Sequence, residues 1–218
     1  MWLGVLWTIT KLVVGITLVL VSTGECVVDI WGGFADKESE RRWKEDTLQI
    51  IFSTSKAVGA ICVAMLVDRG RLKYSDKIST FWPEFAKNGK ENITVEMILT
   101  HTSGLAYLEG KISYEDATDP NKMAQYIEEA KPIWEPGKAV GYHALSYGWL
   151  IDQIIRRTDE KKRGIGQFFK EEIAEKHGPC GLPSLGTIPL HGLQPLNFFQ
   201  TSSFAETLHM GVIGGADH

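Results

Sequence analysis

With 218 residues, 44% of them hydrophobic and 23% charged, the chain is long enough to bury one core and has none of the compositional marks of a disordered protein. Its formal charge of −4, with no Lys/Arg cluster interleaved with aromatics, argues against a nucleic-acid partner. The three cysteines, Cys26, Cys62 and Cys180, are too scattered for a disulfide framework or a metal knuckle, and the six histidines never fall at a metal-ligand spacing, so neither metal nor cofactor is expected.

Residues 1–22 admit two readings. They are apolar and long enough for a signal segment or a membrane anchor, although a basic start and a small-residue cleavage site are lacking and Lys11 interrupts the run. Alternatively, residues 15–22 and 26–31 are β-rich runs on either side of Thr23-Gly24-Glu25, the pattern of a hairpin with a Gly-containing loop. Only residues 1–14 then remain as a hydrophobic targeting or anchor segment. Both readings stand, and with them a soluble, an anchored or a secreted protein.

Gly32-Gly33 is expected to end the second strand, and the charged stretch 36–46 to form a surface loop. An apolar run, 48–52, leads into Ser53. A helical pattern then places Ala57, Ile61, Ala64 and Met65 on one face with Val58 and Cys62 beside them, closed by Arg69-Gly70. Trp82-Pro83 marks an irregular connection. Thr94 is the expected N-cap of a short helix through Thr100, ended by His101-Thr102-Ser103-Gly104. Residues 121–131 read as an exposed polar helix stopped before Pro132, and Glu135-Pro136-Gly137-Lys138 as a turn. Residues 146–157 form a helix with Trp149, Leu150, Ile154 and Ile155 on its apolar side, and 166–176 a further amphipathic helix. At Gly178 the composition shifts. Residues 178–218 carry only Glu206 and Asp217 as charged side chains and show no period, so they read as a weakly structured tail behind a domain over 15–177.

Ser53 and Lys56 carry the chemistry. A serine hydroxyl needs a base within hydrogen-bond reach. Residues three apart share a helix face, so Lys56 can approach Ser53 Oγ and accept its proton. A helix N-terminus adds positive potential and N–H donors for a developing oxyanion. A Ser-x-x-Lys pattern alone arises by chance on the order of once in a chain this long, and its bland reading is a surface cap with an exposed lysine one turn on.

The neighbouring segments supply the context. Ile51-Phe52-Ser53-Thr54-Ser55-Lys56 resembles the first motif of the serine β-lactamase and penicillin-binding-protein superfamily. Four further stretches resemble its class C β-lactamase-related, carboxylesterase-like branch, in family order: Val28-Asp29-Ile30-Trp31-Gly32-Gly33-Phe34-Ala35-Asp36, Ala64-Met65-Leu66-Val67-Asp68-Arg69-Gly70, Ile98-Leu99-Thr100-His101-Thr102-Ser103-Gly104-Leu105 and Trp134-Glu135-Pro136-Gly137. The resemblance covers residues 15–177 and implies an α+β fold (an α/β sandwich), an antiparallel sheet flanked by helices. It also implies a serine hydrolase working through an acyl-enzyme on a small-molecule ester or amide. Tyr142, in Gly141-Tyr142-His143-Ala144, matches the tyrosine of the family's second motif, which is thought to share proton transfer with the lysine. Ala144 stands where the family has an asparagine that contacts substrate, which suits the esterase-like relatives better than β-lactam hydrolysis. His143 has no partner at a defined spacing and reads as a solvent-facing turn residue. His101 and Ser103 follow the family's structural reading, closing a helix and a loop.

The family's third motif, on a strand that supplies the second oxyanion donor, has no good match after Tyr142. His209-Met210-Gly211 and Gly214-Gly215 are the candidates, and both come too soon. The expectation is therefore a shortened version of a larger hydrolase with an incomplete fold. Its alternative function is that of a catalytically impaired, non-catalytic or binding member of the family.

Overall fold

A computed structural model of the chain describes residues 15–45, 47 and 52–177. Described residues up to 47, together with 170–177, make one compact unit, and residues 52–169 make the other.

In the first unit, β1 (Gly15–Ser22) pairs antiparallel with β2 (Glu25–Asp36), Gly15 lying opposite Gly33 and Ser22 opposite Glu25. The connecting Thr23-Gly24 has both residues at positive φ, +50° and +86°. A two-residue turn of that kind matches the right-handed twist of its strands. The hairpin reading of residues 15–31 therefore describes this segment. The targeting or anchor reading of 1–14 and the tail reading of 178–218 lie outside the described residues. Among the described residues no helix is long and apolar enough to cross a membrane.

Two expectations fail here. β2 does not stop at Gly32-Gly33 but runs on to Asp36. Both glycines stay in the ladder instead of turning, Gly32 opposite Ile16 and Gly33, at φ +96°, opposite Gly15, and the close approach falls on Gly15, where a Cβ would lie 2.0 Å from the Trp43 ring. The charged stretch after it is not simply a loop either. The Asp36 carboxylate accepts the Glu38 N–H at 3.0 Å, turning the chain, and β3 (Arg41–Arg42) pairs back on β2 to give the order β1-β2-β3. The Arg42 guanidinium lies 4.5 Å above the Phe34 ring.

The first α-helix of the second unit is α1 (Ser55–Asp68). Its end follows the sequence. Gly70, at φ +67°, donates to Val67 O at 2.9 Å, and Arg71 N donates to Leu66 O at 2.9 Å, the paired bonds of a Schellman cap. Its buried face differs from the expected one: Gly59, Cys62, Val63 and Leu66 are buried, whereas Ile61 is exposed. α1 is apolar on every side, so its periodicity could not choose a face; the choice falls to packing against α5 (Ser146–Thr158). Of the residues expected on the apolar side of α5, Trp149, Leu150, Ile154 and Ile155 are all buried, joined by Ile151.

Thr94 caps α2 (Val95–Leu99), its Oγ1 accepting the Met97 N–H at 3.3 Å. α3 (Tyr114–Thr118) leads into α4 (Pro120–Glu129), where Asp119 caps the first turn and Pro120 occupies its first position. α4 is not the exposed polar helix expected: Met123, Ala124 and Ile127 form a buried stripe. Its C-terminal end is closed by Lys90, a fully buried ammonium that donates to the Glu128 and Ala130 carbonyls. A cation there satisfies carbonyls that the helix leaves open and complements its dipole. The helix expected at 166–176 is α6 (Ile165–Phe169), then a π-helical turn (Lys170–Ala174) and α7 (Glu175–His177).

Gly59 tests the α1–α5 packing. A Cβ there would meet Ile151 Cγ2 and Ile165 Cδ1 at 3.4 Å each, ordinary contact distance. Gly59→Ala is expected to stabilise the protein by up to about 1 kcal/mol by restricting the unfolded chain. Gly59→Leu should overpack the same seam and cost about 1–3 kcal/mol in urea unfolding.

Candidate active site

Ser53 lies in a single 3-10 turn (Phe52–Thr54) immediately ahead of α1, and Lys56 lies in the first turn of α1. Phe52 has φ +43°. That left-handed conformation is costly for a bulky aromatic, so backbone strain sits one residue before Ser53. Ser53 is exposed and Lys56 half-buried, so the site is open to a ligand.

The structure brings together the three residues singled out from the sequence. The Tyr142 hydroxyl donates to Ser53 Oγ at 2.7 Å across 89 residues of chain. Lys56 Nζ is 3.5 Å from Ser53 Oγ and donates to the Ala144 carbonyl at 2.9 Å. The same ammonium lies 4.8 Å from the Tyr142 ring centroid and 5.9 Å from that of Tyr147. These contacts set the two tyrosines apart. Loss of solvent pushes the Tyr142 hydroxyl up, but its hydrogen bonds with Ser53 and Lys56 and the Lys56 charge outweigh that, holding it below the ordinary tyrosine value. Burial pushes Tyr147 up to about 12. Its hydroxyl donates to the Lys56 backbone carbonyl at 3.4 Å.

Tyr142 is held by two stretches of chain laced together, one at 101–106 and one at 133–146. Gly141 N donates to His101 O at 3.0 Å, Gly137 N to Thr102 O at 2.9 Å and Ile133 N to Gly104 O at 2.9 Å. The Trp134 indole donates to Thr102 O at 3.1 Å, and Ser146 Oγ to Leu105 O at 2.6 Å. Close approach demands glycine at two points. Gly104 has φ +81° and leaves 2.7 Å between an added Cβ and Trp134 O, while a Cβ on Gly141 would lie 2.3 Å from the Trp134 ring. The Leu-Thr-His-Thr-Ser-Gly-Leu run thus closes α2 and its loop, and it also holds the tyrosine in place.

His143 corrects the sequence reading. It is fully buried, not solvent-facing: the imidazole bonds Ser103 Oγ at 2.8 Å and the Gly141 carbonyl at 2.6 Å. His101, at φ +61°, packs with tilted rings against Tyr142, Tyr147 and His143, centroids 5.0, 5.0 and 5.3 Å away. Sequence spacing gave no signal for these partners because Ser103 and His143 are 40 residues apart. The Ala144 contact was equally hidden, since any residue supplies a main-chain carbonyl. Among the described residues no group of three or more His, Cys, Asp or Glu side chains is arranged to hold a metal ion. The third-motif candidates, His209-Met210-Gly211 and Gly214-Gly215, lie outside the described residues.

Both histidines are depressed below the ordinary value of 6.5. Burial is the first cause in each, helped at His101 by the Lys56 charge and at His143 by His101. The unfolded chain therefore binds these protons first, so their stabilisation is complete above about pH 6.5 and is lost as pH falls through the folded values. The melting temperature is expected to fall between pH 6.5 and 5, above the range where carboxylates titrate. His143→Phe should flatten that part of the profile.

Comparison with known proteins adds the family. The β-lactamase family model matches residues 9–181. The esterase/beta-lactamase LipL of Mycobacterium tuberculosis (strain ATCC 25618 / H37Rv) is 35% identical over 73% of this chain and 36% of its own length. A family VIII carboxylesterase of solved structure superposes with a TM-score of 0.73 at 36% identity, covering 77% of this chain and 46% of that one. A penicillin-binding protein homolog from Caulobacter crescentus gives 0.71 at 37% identity, covering 76% and 44%. The chain thus spans less than half the length of these relatives, and its sheet and helices have the α+β, β-lactamase/transpeptidase-like fold. The chain belongs to the β-lactamase family.

Proposed function

We propose that this chain carries the nucleophile and proton-transfer residues of a serine hydrolase that cleaves a small-molecule ester through an acyl-enzyme. The observation that carries the reading is the 2.7 Å contact of Tyr142 with Ser53, beside the Lys56 ammonium. Tyr142 is nearer to Ser53 Oγ than Lys56 is, at 2.7 against 3.5 Å, which favours Tyr142 as the immediate proton acceptor. Lys56 then acts as the cation that favours its phenolate.

In the proposed sequence Ser53 Oγ attacks the substrate carbonyl carbon as its proton passes to the Tyr142 phenolate. The tetrahedral intermediate collapses, the carbon–leaving-group bond breaks, and the departing alcohol takes that proton. Water then attacks the acyl-enzyme, gives its proton to Tyr142, and Ser53 recovers a proton from Tyr142 as the acid departs. The Ser53 backbone N–H is one proposed oxyanion donor.

Two features favour an ester over a β-lactam amide. Ala144 has no side-chain amide to bind substrate, and its carbonyl is engaged by Lys56. The relatives include proteins named as an esterase/beta-lactamase and a family VIII carboxylesterase. Ala144 also favours a second reading, a non-catalytic binding member, in which Ser53→Ala leaves hydrolysis unchanged.

Turnover of a short-chain aryl ester and of a chromogenic cephalosporin tests the proposal. The ester is expected to be the faster substrate and Ser53→Ala to abolish its cleavage. Tyr142→Phe should slow it by about 10²–10⁴-fold, the usual worth of a positioned acid–base group. The rate should rise with pH along a limb below the ordinary tyrosine value, and Lys56→Met should move that limb upward. Ester cleavage by Ser53→Ala equal to wild type sinks the mechanism, and faster cleavage of the cephalosporin refutes the substrate preference.

A further inference from the structure

We propose that Ser103 and His143 form a buried positioning pair that aims the Tyr142 hydroxyl at Ser53 Oγ. The kinetic consequence of this inference, though not its geometry, rests on the acyl-enzyme reading above.

A serine bonded to an imidazole at 2.8 Å has the atoms of a nucleophile and its base. Here both residues are fully buried, so no substrate reaches Ser103 Oγ, and the pair must act through its neighbours. The hydrogen bonds fix how it does so. The Gly141 carbonyl can only accept, so His143 Nδ1 carries the proton and donates to it at 2.6 Å. Nε2 of the neutral ring then accepts the Ser103 hydroxyl, while Ser103 Oγ accepts the Leu105 N–H at 3.3 Å. Burial favours the neutral ring that this arrangement needs. The His143 backbone N–H donates to His101 Nδ1 at 3.2 Å.

These bonds bracket one residue. Gly141 precedes Tyr142 and His143 follows it, so both peptide units flanking the tyrosine are tied to the 101–105 segment. The rings add walls: His101 lies 5.0 Å from the Tyr142 ring, and Trp134 meets the His143 ring edge-on at 6.1 Å. An apolar pair would be cheaper to bury. What the polar pair adds is direction, because hydrogen bonds hold the imidazole in one orientation. Direction is what the Tyr142–Ser53 contact requires, since displacing a reacting group by about 1 Å costs on the order of a hundredfold in rate.

The test uses the full chain with 13Cζ-labelled tyrosine. NMR titration of Tyr142, assigned with Tyr142→Phe, compares wild type with Ser103→Ala and His143→Phe. Wild-type Tyr142 is expected to titrate below the ordinary tyrosine value, and both variants to move it back up as its hydroxyl leaves Ser53 and Lys56. An unmoved Tyr142 in folded variants overturns the pair. Should Ser103→Ala fail to fold, Ser103→Cys, which keeps a weak donor in similar volume, carries the same comparison with an intermediate shift expected.

A kinetic cycle on the aryl ester adds a second readout. Each substitution should lower kcat by about a hundredfold while KM moves by less than about twofold. In the Tyr142→Phe background the same substitution should have no further effect, as groups acting as one unit are not additive. Losses that instead multiply in that background, with the titration unmoved, mark a merely structural role and overturn the proposal. The two readings fail separately. A Tyr142 titration that is displaced in wild type and moved back up by both substitutions, without Ser53-dependent turnover, refutes the acyl-enzyme and leaves the pair supported. Turnover that persists with Tyr142 unmoved by either substitution refutes the pair alone.

Discussion

The contact between Tyr142 and Ser53 governs the site. An isolated serine is a weak nucleophile, and a hydroxyl 2.7 Å away on a tyrosine whose phenolate is favoured by a nearby ammonium is what can change that. The two residues are 89 positions apart, so chain continuity does nothing to hold them together. The work falls to the ladder between 101–106 and 133–146, in which the backbone comes so close at Gly104 and Gly141 that no side chain fits. The glycines, the Trp134 indole and the Ser103–His143 pair serve the same end, a rigid seat for one phenol.

Electrostatics then separate two tyrosines that sequence alone cannot rank. Tyr147 is buried with its hydroxyl on a backbone carbonyl and is pushed up to about 12. Tyr142 is exposed at the mouth of the site, next to Lys56, and is shifted the other way. Environments that drive like groups apart are a general mark of acid–base assignments. Lys56 itself is held by the Ala144 main chain, so the position that lacks the family's asparagine still contributes an acceptor. Left-handed backbone at Phe52 and His101 places strain beside both partners, at the residue before Ser53 and in the turn that holds Tyr142.

Much of this was legible in the residues. Thr94 as a cap, Arg69-Gly70 as a helix end, the apolar side of α5 and the hairpin around Thr23-Gly24 each follow from local rules that depend on a few neighbouring atoms. Ser53, Lys56 and Tyr142 were found through ordered motifs and do converge. What escaped depended on tertiary partners. α1 is apolar all round, so only its neighbours could decide that Gly59 and Val63 face inward and Ile61 outward. Gly32-Gly33 looked like a stop because glycine usually marks a turn, yet the strand continues because β1 pairs it as far as Gly33 and β3 pairs it from Phe34 to Asp36. His143 looked exposed because its partner, Ser103, lies 40 residues away.

The central claim is that Ser53 is a nucleophile activated by Tyr142. Treating the full chain with a serine-reactive fluorophosphonate and mapping the adduct by peptide mass spectrometry tests it most directly. The account predicts phosphonylation at Ser53, with Tyr142→Phe leaving Ser53 unlabelled over the same interval. A label on another serine, or none in a folded sample, contradicts it.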